Sequence, residues 1–214
     1  MLLSLPSLSG ITQVFFPIIL FLSSLPVHAL DIAGITVPDQ ACINHGNALH
    51  LNGAGTREKL FTDIYVGALY LPDKSHKADD IINSEVPRRI ALYFVYKEVS
   101  ATKLIEGWQD GFELNNDAQQ LQVMESRLKQ SYGYFSTMKS GDVIFLDYIP
   151  GQGTRLIINN ELKGVIAGSD FYRAVLKIWL GEHPAQEELK QGMLGVHNFA
   201  ASAVNLVYSP HTTR

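Results

Sequence analysis

The chain has 214 residues, of which 46% are apolar and 18% charged, with 17 basic against 21 acidic side chains and one cysteine. A chain of this length suits one domain or two small ones and can bury about 70% of its unfolded surface, so its core needs no disulfide or metal staple. The composition excludes disorder and a coiled coil. A net charge of −4, with no basic run, Walker loop or zinc-finger spacing, argues against a phosphate-binding surface and against a nucleic-acid partner.

The first 29 residues carry no Asp, Glu, Lys or Arg, so all 38 charges fall in the other 185 positions. Within them VFFPIILFL (14–22) is an unbroken apolar run of nine, shorter than the ~20 residues that span a bilayer and interrupted by Pro17. Pro26 then breaks the helix, and Val27 and Ala29 fill the small-residue positions of a cleavage site. Residues 1–29 are therefore expected to be a signal peptide and 30–214 an exported mature domain, periplasmic in a Gram-negative source, with no stable transmembrane segment after cleavage. In such a chain the lone Cys42 is expected to be buried and inert. Cys42, His45 and His50 have a C-x2-H-x4-H spacing but no fourth ligand, so neither a metal nor another cofactor is expected.

Residues 31–37 have strand character before Pro38, and 48–51 form a second candidate strand that ends at the turn signal Asn52-Gly53-Ala54-Gly55. The run 61–71 (FTDIYVGALYL) is aromatic and aliphatic, lacks a helix cap and ends at Pro72-Asp73; it reads as a strand in which Gly67 leaves room for a bend or a close neighbour. A short helix is expected over 77–83. Residues 88–97 (RRIALYFVYK), nearly all apolar between cationic ends, have the pattern of a central strand. Ser100 can cap a helix over 102–114 with Leu104, Trp108 and Phe112 at four-residue steps, and Asp117 a second one carrying Leu121, Met124 and Leu128. A three-strand meander follows at 143–149, 154–159 and 162–166, turning at Gly151-Gln152-Gly153 and at Asn159-Asn160. Ser169 or Asp170 then caps a helix over 171–180 that is apolar almost all round and hence buried on several sides. Gly181 ends it, 186–193 is a last short helix, and 211–214 a frayed tail. Grouped strands and grouped helices indicate an α+β domain with a mostly antiparallel sheet and helices on one face.

Four segments carry a resemblance. They are Leu51-Asn52-Gly53-Ala54-Gly55-Thr56-Arg57 with the strand ending GALYLP (67–72), SATKLIEGWQDGF (100–112), GDVIFLDYIPG (141–151) and DFYRAVLKIWLG (170–181). In this order the chain resembles the chalcone isomerase-like family, most of all its exported bacterial branch, over residues 31–195. The resemblance implies an open-faced β-sandwich: a large antiparallel sheet, helices packed on one face, and a ligand cleft between them. In the plant enzymes of that family the arginine matched by Arg57 lies in the cleft and stabilises negative charge while a phenolate adds to its own enone, a use for which a fixed cation is suited. The plant helper positions fall on Tyr65, Ser100, Gly107 and Ile178; of these Gly107 and Ile178 have no side-chain donor. Most of the polar network that would position a chalcone is thus missing. Non-catalytic relatives bind fatty acids, pairing the cleft arginine with the carboxylate and assisting it with a tyrosine, which suits Arg57 and Tyr65.

Three functions follow from this reading. The first is a non-catalytic binder of an apolar carboxylate, with Arg57 as anchor, Tyr65 as a further donor, and apolar walls from Tyr93, Tyr96, Trp108, Phe112 and Trp179. The second is an isomerase or intramolecular lyase acting on an unknown, phenolic or related, substrate. Arg57 and Tyr65 would be catalytic there, with Tyr93 or Tyr96 converging beside Arg57. The third is an accessory interaction protein whose cleft is filled by its own side chains. Glu106 and Asp110, four apart, read as a solvated helix face, and Tyr172 and Arg173 are the only polar candidates on the late helix.

Overall fold

The computed structural model describes residues 29–43 and 47–196; residues 1–28 of the expected leader, His45 and the 211–214 tail lie outside them. In chain order come β1 (Ala29–Ile32), β2 (Ile35–Pro38), β3 (Gln40–Ile43), β4 (Asn47–Lys59), β5 (Thr62–Leu71), α1 (Ala78–Asn83), β6 (Arg88–Phe94), β7 (Glu98–Val99), α2 (Ala101–Asn115), α3 (Ala118–Tyr132), β8 (Met138–Lys139), β9 (Val143–Ile149), β10 (Gly153–Ile158), β11 (Glu161–Ile166), α4 (Ser169–Leu180) and α5 (Glu187–Met193). Seven strands form one antiparallel sheet in the order β11-β10-β9-β6-β5-β4-β3, while β1–β2 and β7–β8 are separate ribbons. This is the expected α+β architecture.

The strand alternation sorts the sheet into two faces. On β6, Ile90, Leu92 and Phe94 join the core under the helices, whereas Ala91 and Tyr93, with Val95 just beyond the strand, pack in a second cluster on the opposite side. The β1–β2 ribbon covers that second side, placing Ile32 and Val37 over Leu49, Leu51, Val66, Ala68 and Tyr70. The principal core lies under the helices. Helix α4 buries Phe171, Tyr172, Val175, Leu176, Ile178 and Trp179 to 2% exposure or less, which is the burial on all sides that its apolar circumference requires. Each such side chain contributes about 1.5–3 kcal/mol. Ser100 accepts from the Lys103 amide at the start of α2, and Asp117 forms a full capping box with Gln120 at the start of α3.

Several expectations change. The glycines after Leu51 do not make a turn: β4 runs on through them to Lys59, with a bulge between Leu51 and Gly53. Their smallness serves packing instead. A Cβ on Gly53 would lie 2.2 Å from the Gly192 carbonyl oxygen, and one on Gly55 3.1 Å from the Leu189 Cα, so α5 rests almost backbone-to-backbone on β4. Asn52 is buried, donating to the Met193 carbonyl (2.9 Å) and accepting from the Ser75 amide (2.8 Å), which pins the end of α5. The 31–37 strand is a hairpin of two short strands. Arg88, at the cationic start of β6, is buried: at 1% exposure it lies over the rings of Tyr148 and Tyr172 and donates to Ser84 Oγ (2.7 Å) and to the Ile81 and Ser84 carbonyls at the end of α1. Gly168, not Ser169 or Asp170, is the cap residue of α4, because Asp170 is engaged in a two-point pair with Arg127 (2.7 and 2.6 Å). Cys42 is exposed rather than buried, since it lies on the edge strand β3.

Among the described residues, three hairpins turn on two central residues with positive φ. These are Ala33-Gly34 (47° and 76°), Asn159-Asn160 (50° and 66°) and, between β4 and β5, Leu60-Phe61 (51° and 61°). That backbone matches the twist of the strands it joins, and it favours Gly and Asn. Bulky Leu and Phe instead incur on the order of 1–2 kcal/mol each for the left-handed conformation. Phe61, expected to open a strand, is the second residue of this turn.

Candidate functional site

The β4–β5 hairpin brings the two principal candidates together. Arg57 and Tyr65 are direct cross-strand partners, and their parity with Gly55 and Gly67 puts both on the helix-facing side. The half-buried Arg57 donates through Nη1 to the Glu58 carbonyl (2.9 Å) and to Gln186 Oε1 (3.1 Å). The Glu58 amide donates to the same Gln186 oxygen at 2.9 Å. A guanidinium N–H and a backbone N–H thus converge on one acceptor, an arrangement that a carboxylate oxygen could occupy equally well. No ion pair joins Arg57 to a carboxylate among the described residues, and no described acceptor engages its Nε or Nη2.

Tyr65 turns its hydroxyl inward, accepting a hydrogen bond from Trp179 Nε1 at 3.0 Å. Burial pushes its phenol above the ordinary value; the Trp179 bond and the Arg57 charge oppose that shift without cancelling it. The hydroxyl keeps its proton at neutral pH and can still donate it. Behind it, Trp179 meets Trp108 edge to face at 5.7 Å, and Trp108 meets Phe135 at 4.7 Å and Phe112 at 6.1 Å. Trp108, Phe112 and Trp179 are 4%, 1% and 1% exposed. They fill the space between sheet and helices with aromatic rings.

The remaining candidates lie elsewhere. Tyr93 points to the far face, where its hydroxyl lies 3.4 Å from that of Tyr70 and its ring abuts Phe145. The two-point Arg89–Asp147 pair, 2.6 and 2.8 Å, occupies the same face. Tyr96 is 42% exposed beyond the end of β6, its amide bonded to the Ile64 carbonyl. Neither converges on Arg57. Of the other matched helper positions, Ser100 caps α2 and Ile178 fills the gap left by Gly111, while Gly107 is exposed. Two participants escaped the sequence. Gln186 has only a faint signal, an N-cap position held by a residue that makes no cap bond there; Phe94, 5.7 Å from Tyr65 ring to ring, is signalled only by strand parity.

Two open depressions, about 420 and 870 Å³, lie on the helix side between α1, α3 and α4 and around the ends of α2, α4 and α5. Both are lined mostly by polar residues such as Asn116, Asp117 and Lys177, and Arg57 does not border either. Among the described residues no group of three His, Cys, Asp or Glu could hold a metal, and no helix is long and apolar enough to cross a membrane.

The family profile for chalcone isomerase-like proteins matches residues 29–195. The chain belongs to the chalcone isomerase-like family. A search of curated protein sequences found no match. Among solved structures, a fatty-acid binding protein of Arabidopsis thaliana superposes with a TM-score of 0.61, covering 78% of this chain and 96% of that one at 16% sequence identity. At that identity the likeness shows a shared fold, the chalcone isomerase-like one in which a curled antiparallel sheet carries its helices on one face.

Proposed function

We propose that this chalcone isomerase-like protein is an exported, non-catalytic binder of a single-chain apolar carboxylate such as a fatty acid, held by Arg57. The observation that carries the reading is the half-buried Arg57 guanidinium. It has no described acid partner, stands opposite the Tyr65 phenol, and points its Nη1 with the Glu58 amide at one oxygen of a neutral side chain, Gln186. A bound carboxylate would replace that amide oxygen, taking both donors and adding its charge to the contact. The hydrocarbon would extend toward the apolar interior behind Tyr65, which requires some of the Trp108–Trp179 packing to yield. The fatty-acid binding function of the Arabidopsis neighbour favours the same ligand class.

The isomerase reading requires further polar groups converging beside Arg57. The positions of Tyr93 and Tyr96 leave it with Tyr65 alone, which makes it the weaker alternative. Titration of the protein with a long-chain fatty acid and with its methyl ester distinguishes charge recognition from greasy adsorption. The acid is expected to bind at least about tenfold more tightly than the ester, the worth of one charge-assisted hydrogen-bond pair. Equal affinities would refute an arginine-anchored carboxylate.

A further inference from the structure

The Leu60-Phe61 turn is the most exposed apolar feature among the described residues: Leu60 is 86% and Phe61 97% exposed. Among the described residues the chain makes the same left-handed turn twice more, and there it uses Asn159-Asn160, which the backbone geometry favours, and Ala33-Gly34, a favoured Gly beside the smallest side chain. At 60 and 61 alone the turn holds two large side chains that strain the backbone and touch no core. Neither stability nor turn geometry accounts for them.

We propose that this tip docks into a lipid bilayer, setting the Arg57 side chain close to the membrane surface. Two side chains offer far less than the roughly 800 Å² per partner of a stable protein interface, so a second copy or a folded partner is poorly matched to them. A bilayer needs no such area and no fixed shape; it needs an apolar wedge with a polar collar. The tip has one: Glu58, Lys59, Thr62 and Asp63, all exposed, flank it immediately on both strands. Their charges are of both signs, so the contact relies on apolar insertion and not on anionic headgroups. At the same end of the sheet stands Tyr96, half-exposed and bonded through its amide to Ile64 of β5, an amphipathic ring of the kind that settles at a membrane interface. Arg57 lies three residues from Leu60, roughly 10 Å along the strand. An amphiphile leaving the bilayer would meet the guanidinium as it passed the tip. Docking stands on the tip alone; the hand-over of a carboxylate rests on the binding reading above.

The full chain carrying Phe61→Trp reports on the tip directly, since Trp108 and Trp179 are buried and give a constant background. With phosphatidylcholine vesicles its emission is expected to shift to the blue and to fall at least about twofold when the acyl chains are brominated near the headgroup. Adding Leu60→Asn should weaken that quenching, and Arg57→Ala should leave it unchanged. An indole at 61 that stays water-exposed over vesicles, or quenching that survives Leu60→Asn undiminished, would overturn docking whatever the fate of the ligand reading. In the absence of lipid, Leu60→Asn with Phe61→Asn should raise the melting temperature by about 2–8 °C, because strain is relieved and no packing is lost. A lower melting temperature would mean that the pair is held by the fold, and would also overturn the proposal.

Discussion

At the scale of single residues, the site depends on what each donor has left to give. Arg57 is tied down by two acceptors on one nitrogen, which orients the guanidinium without neutralising it. Arg57→Ala is therefore expected to weaken fatty-acid binding by about ten- to a hundredfold, the worth of a charge-assisted pair, while leaving the fold intact because the side chain is only half-buried. Displacement of a fluorescent acyl probe measures this. Trp179→Phe keeps the ring packing but removes the donor to Tyr65. It should cost about 1–3 kcal/mol of stability by chemical denaturation and push the Tyr65 phenol still higher, because the bond it deletes favours the ionised form. Gln186→Ala frees the oxygen position on Arg57 and the Glu58 amide. If Gln186 stands where a carboxylate would, this variant binds the acid as well as wild type or better; a large loss in the same assay would make Gln186 a ligand contact.

At the scale of elements, the sheet end that carries the site is built by glycines on β4. A methyl on Gly53 would meet the Gly192 carbonyl at 2.2 Å, backbone against backbone, so Gly53→Ala must lift α5. A loss of about 1–3 kcal/mol or more is expected in urea unfolding, together with weaker ligand binding, since Gln186 sits at the start of the displaced helix. An unperturbed Gly53→Ala protein would mean that α5 is not clamped there. These glycines also mark the limit of what the sequence discloses. Asn52-Gly53-Ala54-Gly55 carries every local sign of a turn, yet β4 passes straight through it, because the reason for its small residues is a helix more than 130 residues away. Conversely Leu60-Phe61 carries no sign of a turn and is one. The elements whose reasons are local were legible: caps at Ser100 and Asp117, the 143–166 meander, and the buried circumference of α4. Cross-strand pairing of Arg57 with Tyr65 depends on the unmarked turn, so their juxtaposition was available only through family resemblance. Tyr93 and Tyr96 show the same limit: alternation along β6 tells which residues share a face, but not which face meets the helices.

At the scale of the whole molecule, burial of phenols gives the fold a definite pH window. Tyr65, Tyr70, Tyr148 and Tyr172 are raised above the ordinary value, and Tyr132 is pushed up to about 12, in each case chiefly by burial. Between the ordinary tyrosine value near 10 and these higher ones the unfolded chain has already released protons that the folded one retains, so stability falls as pH rises through that range. On the acid side Asp170, held low by its Arg127 hydrogen bonds, and Glu85, held low mainly by Tyr148, lose their contributions as pH falls below about 4. Melting temperature against pH should show a plateau between about 5 and 9 with a steeper alkaline flank; stability that still rises above pH 10 would contradict the burial of these rings.

The central claim is that Arg57 anchors an apolar carboxylate, and the most direct test is native mass spectrometry of the protein purified from cells, beside its Arg57→Ala variant. The account predicts a fatty-acid adduct on the wild type that is absent from the variant. A wild type that emerges empty and stays empty after incubation with long-chain fatty acid, or an adduct that persists without Arg57, would contradict it.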